Sequence, residues 1–180
     1  MRFAVVAVFA GMTLAPFASA QKLDLKFDGL AAKASEKAEV DLGGSILKLV
    51  LPPLLSKKEK DDKSPIADLL SGVQEIHVRN YEFANAGAYT DKDLEPLRKQ
   101  VSEGSGWSRI VNVKDKDKDD NVEVFVQSLG GKVGSCLILA AEAKELSVVY
   151  LMGTLTLARM KGLADPNVVD SLTALAELSK

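Results

Sequence analysis

The chain has 180 residues, 47% of them hydrophobic and 27% charged, which makes it an ordinary globular polypeptide large enough for one well-filled core. Its net charge of −2 comes from lysines and carboxylates that interleave, so no basic face tracks phosphates and nucleic acid is excluded as a partner. One cysteine and one histidine exclude an internal disulfide and a histidine-rich metal site.

In chain order, residues 1–20 read as a signal peptide. Arg2 gives a positive start, Phe3 to Phe17 is apolar, and Ala18-Ser19-Ala20 is a small-residue cleavage signal, which predicts cutting between Ala20 and Gln21. The apolar run is short for a membrane anchor, so contact with the membrane is expected only transiently, through this segment. No cysteine follows the site, so lipidation there is not expected. The mature chain, 21–180, is then exported to the periplasm or beyond and forms a single domain.

Residues 22–72 are expected to be mainly helical. Phe27, Leu30, Ala31, Ala34 and Ala38 make a weak apolar stripe, interrupted by Gly43-Gly44. Ile46, Leu47, Val50, Leu51, Leu54 and Leu55 make a stronger one, which Pro52-Pro53 must end or kink. The run ILKLVLPPLL is too short to span a bilayer and reads as a helix laid on a sheet. Lys57 to Lys63 is a solvated charged linker, and Ser64-Pro65 opens a short helix that ends at Gly72.

The sheet occupies 74–153. Gln74 to Phe83 is a strand with Ile76 and Val78 on one face and His77, Arg79, Tyr81 and Phe83 on the other. Thr90 with Asp93 suggests a capped helix stopped at Gly104, with Leu94, Leu97 and Val101 buried; Pro96 suggests that it starts nearer Asp93. Four strands follow as a meander. Trp107, Arg109, Val111 and Val113 share a face, and Val122, Val124 and Val126 oppose Glu123, Phe125 and Gln127. The loop Lys114 to Asp120 has nothing apolar to bury, and Gly130-Gly131 suits a two-residue hairpin turn.

The last two strands, Val133 to Ala141 and Leu146 to Met152, are apolar on both faces and must be covered on both, by helices or by a partner chain. The half of the sheet holding Glu123 and Gln127 is expected to show one face to water. Residues 154–179 should be helical, first to Met160 and then from Asp165-Pro166. No internal repeat is present.

The segments YTDKDLEPLRKQ, WSRIV, NVEVFV and GGKVGSCLILAAEAKELSVVYLMG resemble the exported bacterial domain-of-unknown-function family 4252, over roughly Leu23 to Leu163. Ala143 and Tyr150 depart from the family pattern, in or beside a turn. The resemblance implies a fold and an exported location; the family carries no agreed activity and so implies no mechanism.

Candidate sites are few. Asp115, Asp117 and Asp119 imitate the start of a calcium loop, but Asp120 replaces its glycine and Val126 its bidentate glutamate. GGKVGS lacks the Gly-Lys-Ser/Thr order of a phosphate loop and leads into a strand. Ser105 is not in a Gly-x-Ser-x-Gly elbow, and Glu142 and Glu145 belong to a turn. Cys136 sits in an apolar strand and reads as an inert buried thiol. Trp107 and Tyr150 read as core or rim aromatics. His77, Arg79 and Tyr81, on one strand face, are the pocket candidates, with no catalytic, cofactor-binding or metal residues assigned.

These readings commit to an α+β fold: an antiparallel meander of four strands, with Gln74 to Phe83 as a fifth, packed against helices. Function is expected to be that of a non-catalytic exported binding or association module, without cofactor. The alternative is a periplasmic carrier of a small apolar ligand, held between the sheet and the 46–55 helix in a cavity lined by Ile46, Val50, Leu54, Leu137 and Leu139. An enzyme centred on His77 and a homodimer formed through the doubly apolar strands complete the set.

Overall fold

A strand without a polar face must lie where both faces are covered, and this requirement fixes the centre of the sheet. In a computed structural model of the protein, residues 22–49, 70–102, 106–115, 120–129 and 131–156 are described. They form α1 (Asp28–Ala31), β1 (Glu36–Gly43), β2 (Val73–Glu82), α2 (Asp91–Gln100), β3 (Trp107–Asp115), β4 (Asp120–Leu129), β5 (Lys132–Ala141) and β6 (Glu145–Leu155). The strands make one antiparallel sheet in the order β1-β2-β6-β5-β4-β3. Both doubly apolar strands, β5 and β6, are internal.

After β2 the chain crosses one face of the sheet as α2 and re-enters at the far edge as β3. The meander β3-β4-β5-β6 then returns to pair with β2, Ile76 opposite Leu151 and Val78 opposite Val149. On the face crossed by α2, Leu94, Leu97 and Val101 pack on Phe125, Leu137, Leu139, Val148 and Tyr150. Leu23 and Leu25, from the extended segment before α1, join them. Both leucines of α2 are almost wholly out of water, each side chain contributing about 2 kcal/mol of burial. The opposite face carries a second core of Ile76, Val78, Val124, Val126, Cys136, Ile138, Val149 and Leu151, to which Leu47 and Leu70 belong. A buried cross-strand hydrogen bond from Ser147 Oγ to Asn80 Oδ1, 3.1 Å, fits only the observed β2–β6 register.

The fold is therefore a sheet-rich α+β arrangement, and it differs from the sequence expectation in several places. The sheet has six strands, because β1 lies inside the stretch expected to be helical. Ala34 and Ala38 have helical spacing, but Ala38, Val40 and Leu42 alternate with Lys37, Glu39 and Asp41, and the period of two wins because β2 offers an edge to pair with. Helical residues 44–49 follow β1; Leu47 is buried, while Ile46 and Leu49 are exposed.

β6 continues to Leu155, so Thr154 and Leu155 are strand rather than the start of a helix. In β3 a bulge at Ile110 breaks the alternation: Arg109 faces Phe125 and Val111 faces Val124, which puts Trp107 and Arg109 on one face and Val111 on the other. α2 begins at Asp91 and tolerates Pro96 on its exposed side. Glu123 and Gln127 are buried, not solvated. The signal segment within residues 1–21, the prolines at 52–53, the linker 57–63, the helix expected from 64–65, the helix stop expected at Gly104 and the helices expected beyond 156 lie outside the described residues.

Gly153 sits where β6 changes register against both neighbours. Its φ is 155°, and a Cβ there would lie 2.2 Å from the Gly72 carbonyl oxygen and 2.9 Å from Val73 Cα. Backbone, not a flexible side chain, would have to move. Gly153→Ala is expected to destabilise the protein by about 2–4 kcal/mol, from overpacking added to backbone strain, read as a shift in the urea unfolding midpoint.

Candidate functional site

The polar side chains that the central strands exclude collect on the α2-covered face of β1 and β2. The register sets Asp41 opposite His77, Glu39 opposite Arg79 and Lys37 opposite Tyr81, and alternation puts all six on this face. His77 Nδ1 lies 2.6 Å from Asp41 Oδ1, and its Nε2 lies 3.4 Å from Glu75 Oε2. The imidazole stacks on Tyr150, its β6 neighbour, with ring centroids 5.8 Å apart.

Arg79 reaches diagonally across β1. Its Nη2 straddles both Asp41 oxygens at 2.9 and 3.0 Å, and its Nη1 donates to the Val78 and Val40 carbonyls. The Tyr81 hydroxyl donates to Glu39 Oε1 at 3.0 Å.

Burial pushes the Asp41 carboxyl up, but hydrogen bonds from His77 and Arg79, with the attraction of both, outweigh it and hold the group below its ordinary 3.8. Burial raises the Tyr81 phenol well above its usual range, and the hydrogen bond to Glu39 adds to the shift. Tyr81 is thus a donor and not a source of phenolate.

Two of the three predicted pocket residues line one groove. Asp41, His77 and Arg79 form its floor, and the extended chain from Lys22 to Lys26 forms its wall, enclosing about 550 Å³ open to solvent. Tyr81 lies farther along the strand, beneath the Phe27 ring, and is not among the lining residues. The floor's chemistry is largely committed: each imidazole nitrogen faces a carboxylate oxygen and the guanidinium is shared among Asp41 and two carbonyls. A general base needs a ring nitrogen turned to its substrate. Here the arrangement presents hydrogen-bonding edges and paired charge.

A second polar cluster escaped the sequence reading. Glu123, its side chain 4% exposed, accepts from Arg98 Nε at 2.8 Å and Arg109 Nη1 at 2.8 Å; Arg98 also bonds Asp91 at 3.0 Å. The cluster ties α2 to β3 and β4. Burial lowers the affinity of the Arg98 guanidinium for its proton, but the carboxylates of Glu123 and Asp91 reverse this and raise it. A charged residue in an otherwise apolar strand, across the hairpin from an arginine, was the available signal.

The other candidates separate. Cys136 is fully buried, and desolvation pushes its thiol up to about 12. Glu142 and Glu145 close the β5–β6 turn, with the Glu142 amide donating to the Glu145 carbonyl. Trp107 and Tyr150 are core aromatics, 6.2 Å between centroids. Of the lining expected for an apolar carrier cavity, Leu137 and Leu139 face α2 and Ile46 is exposed. Val50, Leu54, Ser105, Asp117 and Asp119 lie outside the described residues. Among the described residues no group of three or more His, Cys, Asp or Glu is placed to hold a metal ion.

A family model described as "Domain of unknown function (DUF4252)" matches residues 33–163, from just before β1 to beyond β6. No curated protein matches the chain.

Two outcomes test these clusters. Asp41 titrates lower in the folded state, so its contribution to stability is complete above pH 3.8 and is lost as pH falls through the lowered value. Asp41→Asn should be less stable than the parent at neutral pH, with the gap closing in urea titrations below pH 3.8. Glu123→Ala, which leaves Arg98 with Asp91 alone and Arg109 to water, should cost about 1–3 kcal/mol by the same measurement.

Proposed function

The chain belongs to the family of the domain of unknown function DUF4252, and from that premise we propose that it is an exported cell-envelope binding module, without catalytic activity, whose ligand site is the groove over β1 and β2. The observation that carries this reading is the groove's floor. His77, Arg79 and Asp41 are held by one another and by Tyr150, Glu75 and backbone carbonyls, so they are fixed in position yet occupied as acids and bases. Such a surface recognises shape and hydrogen-bonding groups at small reorganisation cost, which is what binding requires. Export is supported by the sequence alone, through Arg2, the apolar run and Ala18-Ser19-Ala20.

Native mass spectrometry on the chain purified from the periplasm of its own host tests both parts. The expected protein mass is that of a chain starting at Gln21. The expected complex carries an added mass that leaves on denaturation and is reduced at least several-fold in Arg79→Ala, which leaves Asp41 with His77 alone and removes the groove's guanidinium. An added mass retained in full by Arg79→Ala would place the ligand elsewhere, and a bare chain would remove the groove as a resident ligand site.

A further inference from the structure

Among the described residues the sheet is open, so β1 and β3 each have one neighbouring strand, and each leaves a row of backbone N–H and C=O groups outside the sheet's own ladder. The two edges are built differently. β3 carries the bulge at Ile110, one of the devices that turn an edge away from further pairing. β1 pairs with β2 over all eight residues without a register shift, and it has no proline and no glycine before Gly43. It is the edge on which another strand can lie flat.

Its charges choose the strand. Lys37, Glu39 and Asp41 form one row, on the α2-covered side, and Glu36, Ala38, Val40 and Leu42 form the other. Consider a second β1, antiparallel, related by a two-fold axis normal to the sheet. With the axis at Ala38, Lys37 lies opposite Glu39 of the second copy, twice by symmetry, and Asp41 lies opposite Ser35. On the other side Ala38 meets Ala38, Glu36 meets Val40 twice, and Leu42 meets Ala34.

Moving the axis to Lys37 sets lysine on lysine. Moving it to Glu39 brings Lys37 opposite Asp41 twice but sets glutamate on glutamate at the centre, and at Val40 Glu39 meets Asp41 twice. Like charges directly opposite are destabilising, and opposite charges are attractive. Only the Ala38 register has two attractions and no repulsion in its charged row.

We propose that the protein pairs with a second copy of itself through β1, antiparallel about Ala38, joining two six-stranded sheets into one. The interface is isologous: the same row serves both copies. Its attracting pairs are separable from the groove reading, since neither Lys37 nor Glu39 lines the groove, although Asp41 of the same row does.

Charge reversal followed by sedimentation velocity over a dilution series tests the pairing. The parent is expected to dimerise reversibly. Lys37→Glu turns both attractions into repulsions, and so does Glu39→Lys; each should raise the dimer Kd by about tenfold or more. The double variant, with the pair exchanged, should return to the parent Kd. An equimolar mixture of the two single variants should also dimerise, because each then meets a row of opposite sign.

Glu39→Lys also loses the Tyr81 hydrogen bond, so Lys37→Glu is the cleaner arm, with far-ultraviolet circular dichroism reporting its fold. A parent that stays monomeric at every concentration overturns the proposal. So does a dimer that neither reversal weakens, or a double variant that stays as weak as the singles.

Discussion

Everything in this fold follows from two strands that cannot touch water on either face. β5 and β6 are buried along nearly their whole lengths, from Val133 through Ala141 and from Leu146 through Leu151. An antiparallel strand usually keeps one solvated face, so a pair without one has to be placed in the middle and roofed twice. That demand pulls β2 against β6, sends the β2–β3 connection across the sheet as α2, and pushes β1 and β3 to the edges. The doubly apolar character is thus explained within one chain, by the two cores, without a partner on either face.

The same demand sorts the polar side chains. With the centre closed to them, charges gather on β1, on the outer half of β2, and where α2 meets β3 and β4. In an antiparallel sheet a residue's cross-strand partner is set by register, so a charge at a margin finds its counterpart on the neighbouring strand. Asp41 finds His77 directly opposite, while Glu39 and Glu123 reach the diagonal neighbours Tyr81 and Arg109. Each polar cluster is a consequence of the register that the apolar centre dictates.

Legibility in the sequence follows the strength of the local pattern. The meander was readable because β4 alternates cleanly and because β5 and β6 have no polar face to misplace. The face of β2 was readable too, which is why His77, Arg79 and Tyr81 were grouped correctly on one side. β1 was misread because KAEVDLG is short and follows alanines whose spacing suits a helix; only its pairing with β2 decides in favour of the strand. The carboxylates that hold His77 and Arg79 were missed with it, since Asp41 lies 36 residues from His77 along the chain. The bulge at Ile110 left no local signal, and it moved every later side chain of β3 to the other face.

Two carboxylates, alike in type, end in opposite circumstances, and the contrast says where this protein can respond to its surroundings. Glu123 is enclosed, and removing either arginine would leave one of its buried oxygens without its charged partner, so that cluster is tied to the integrity of the α2–sheet contact. Asp41 is more than half exposed, and water can replace what it loses. Exchange of partners is therefore inexpensive at Asp41 and prohibitive at Glu123. The groove proposed as the ligand site thus lies at the margin beside β1, over side chains that water can reach, and not over the buried ion cluster.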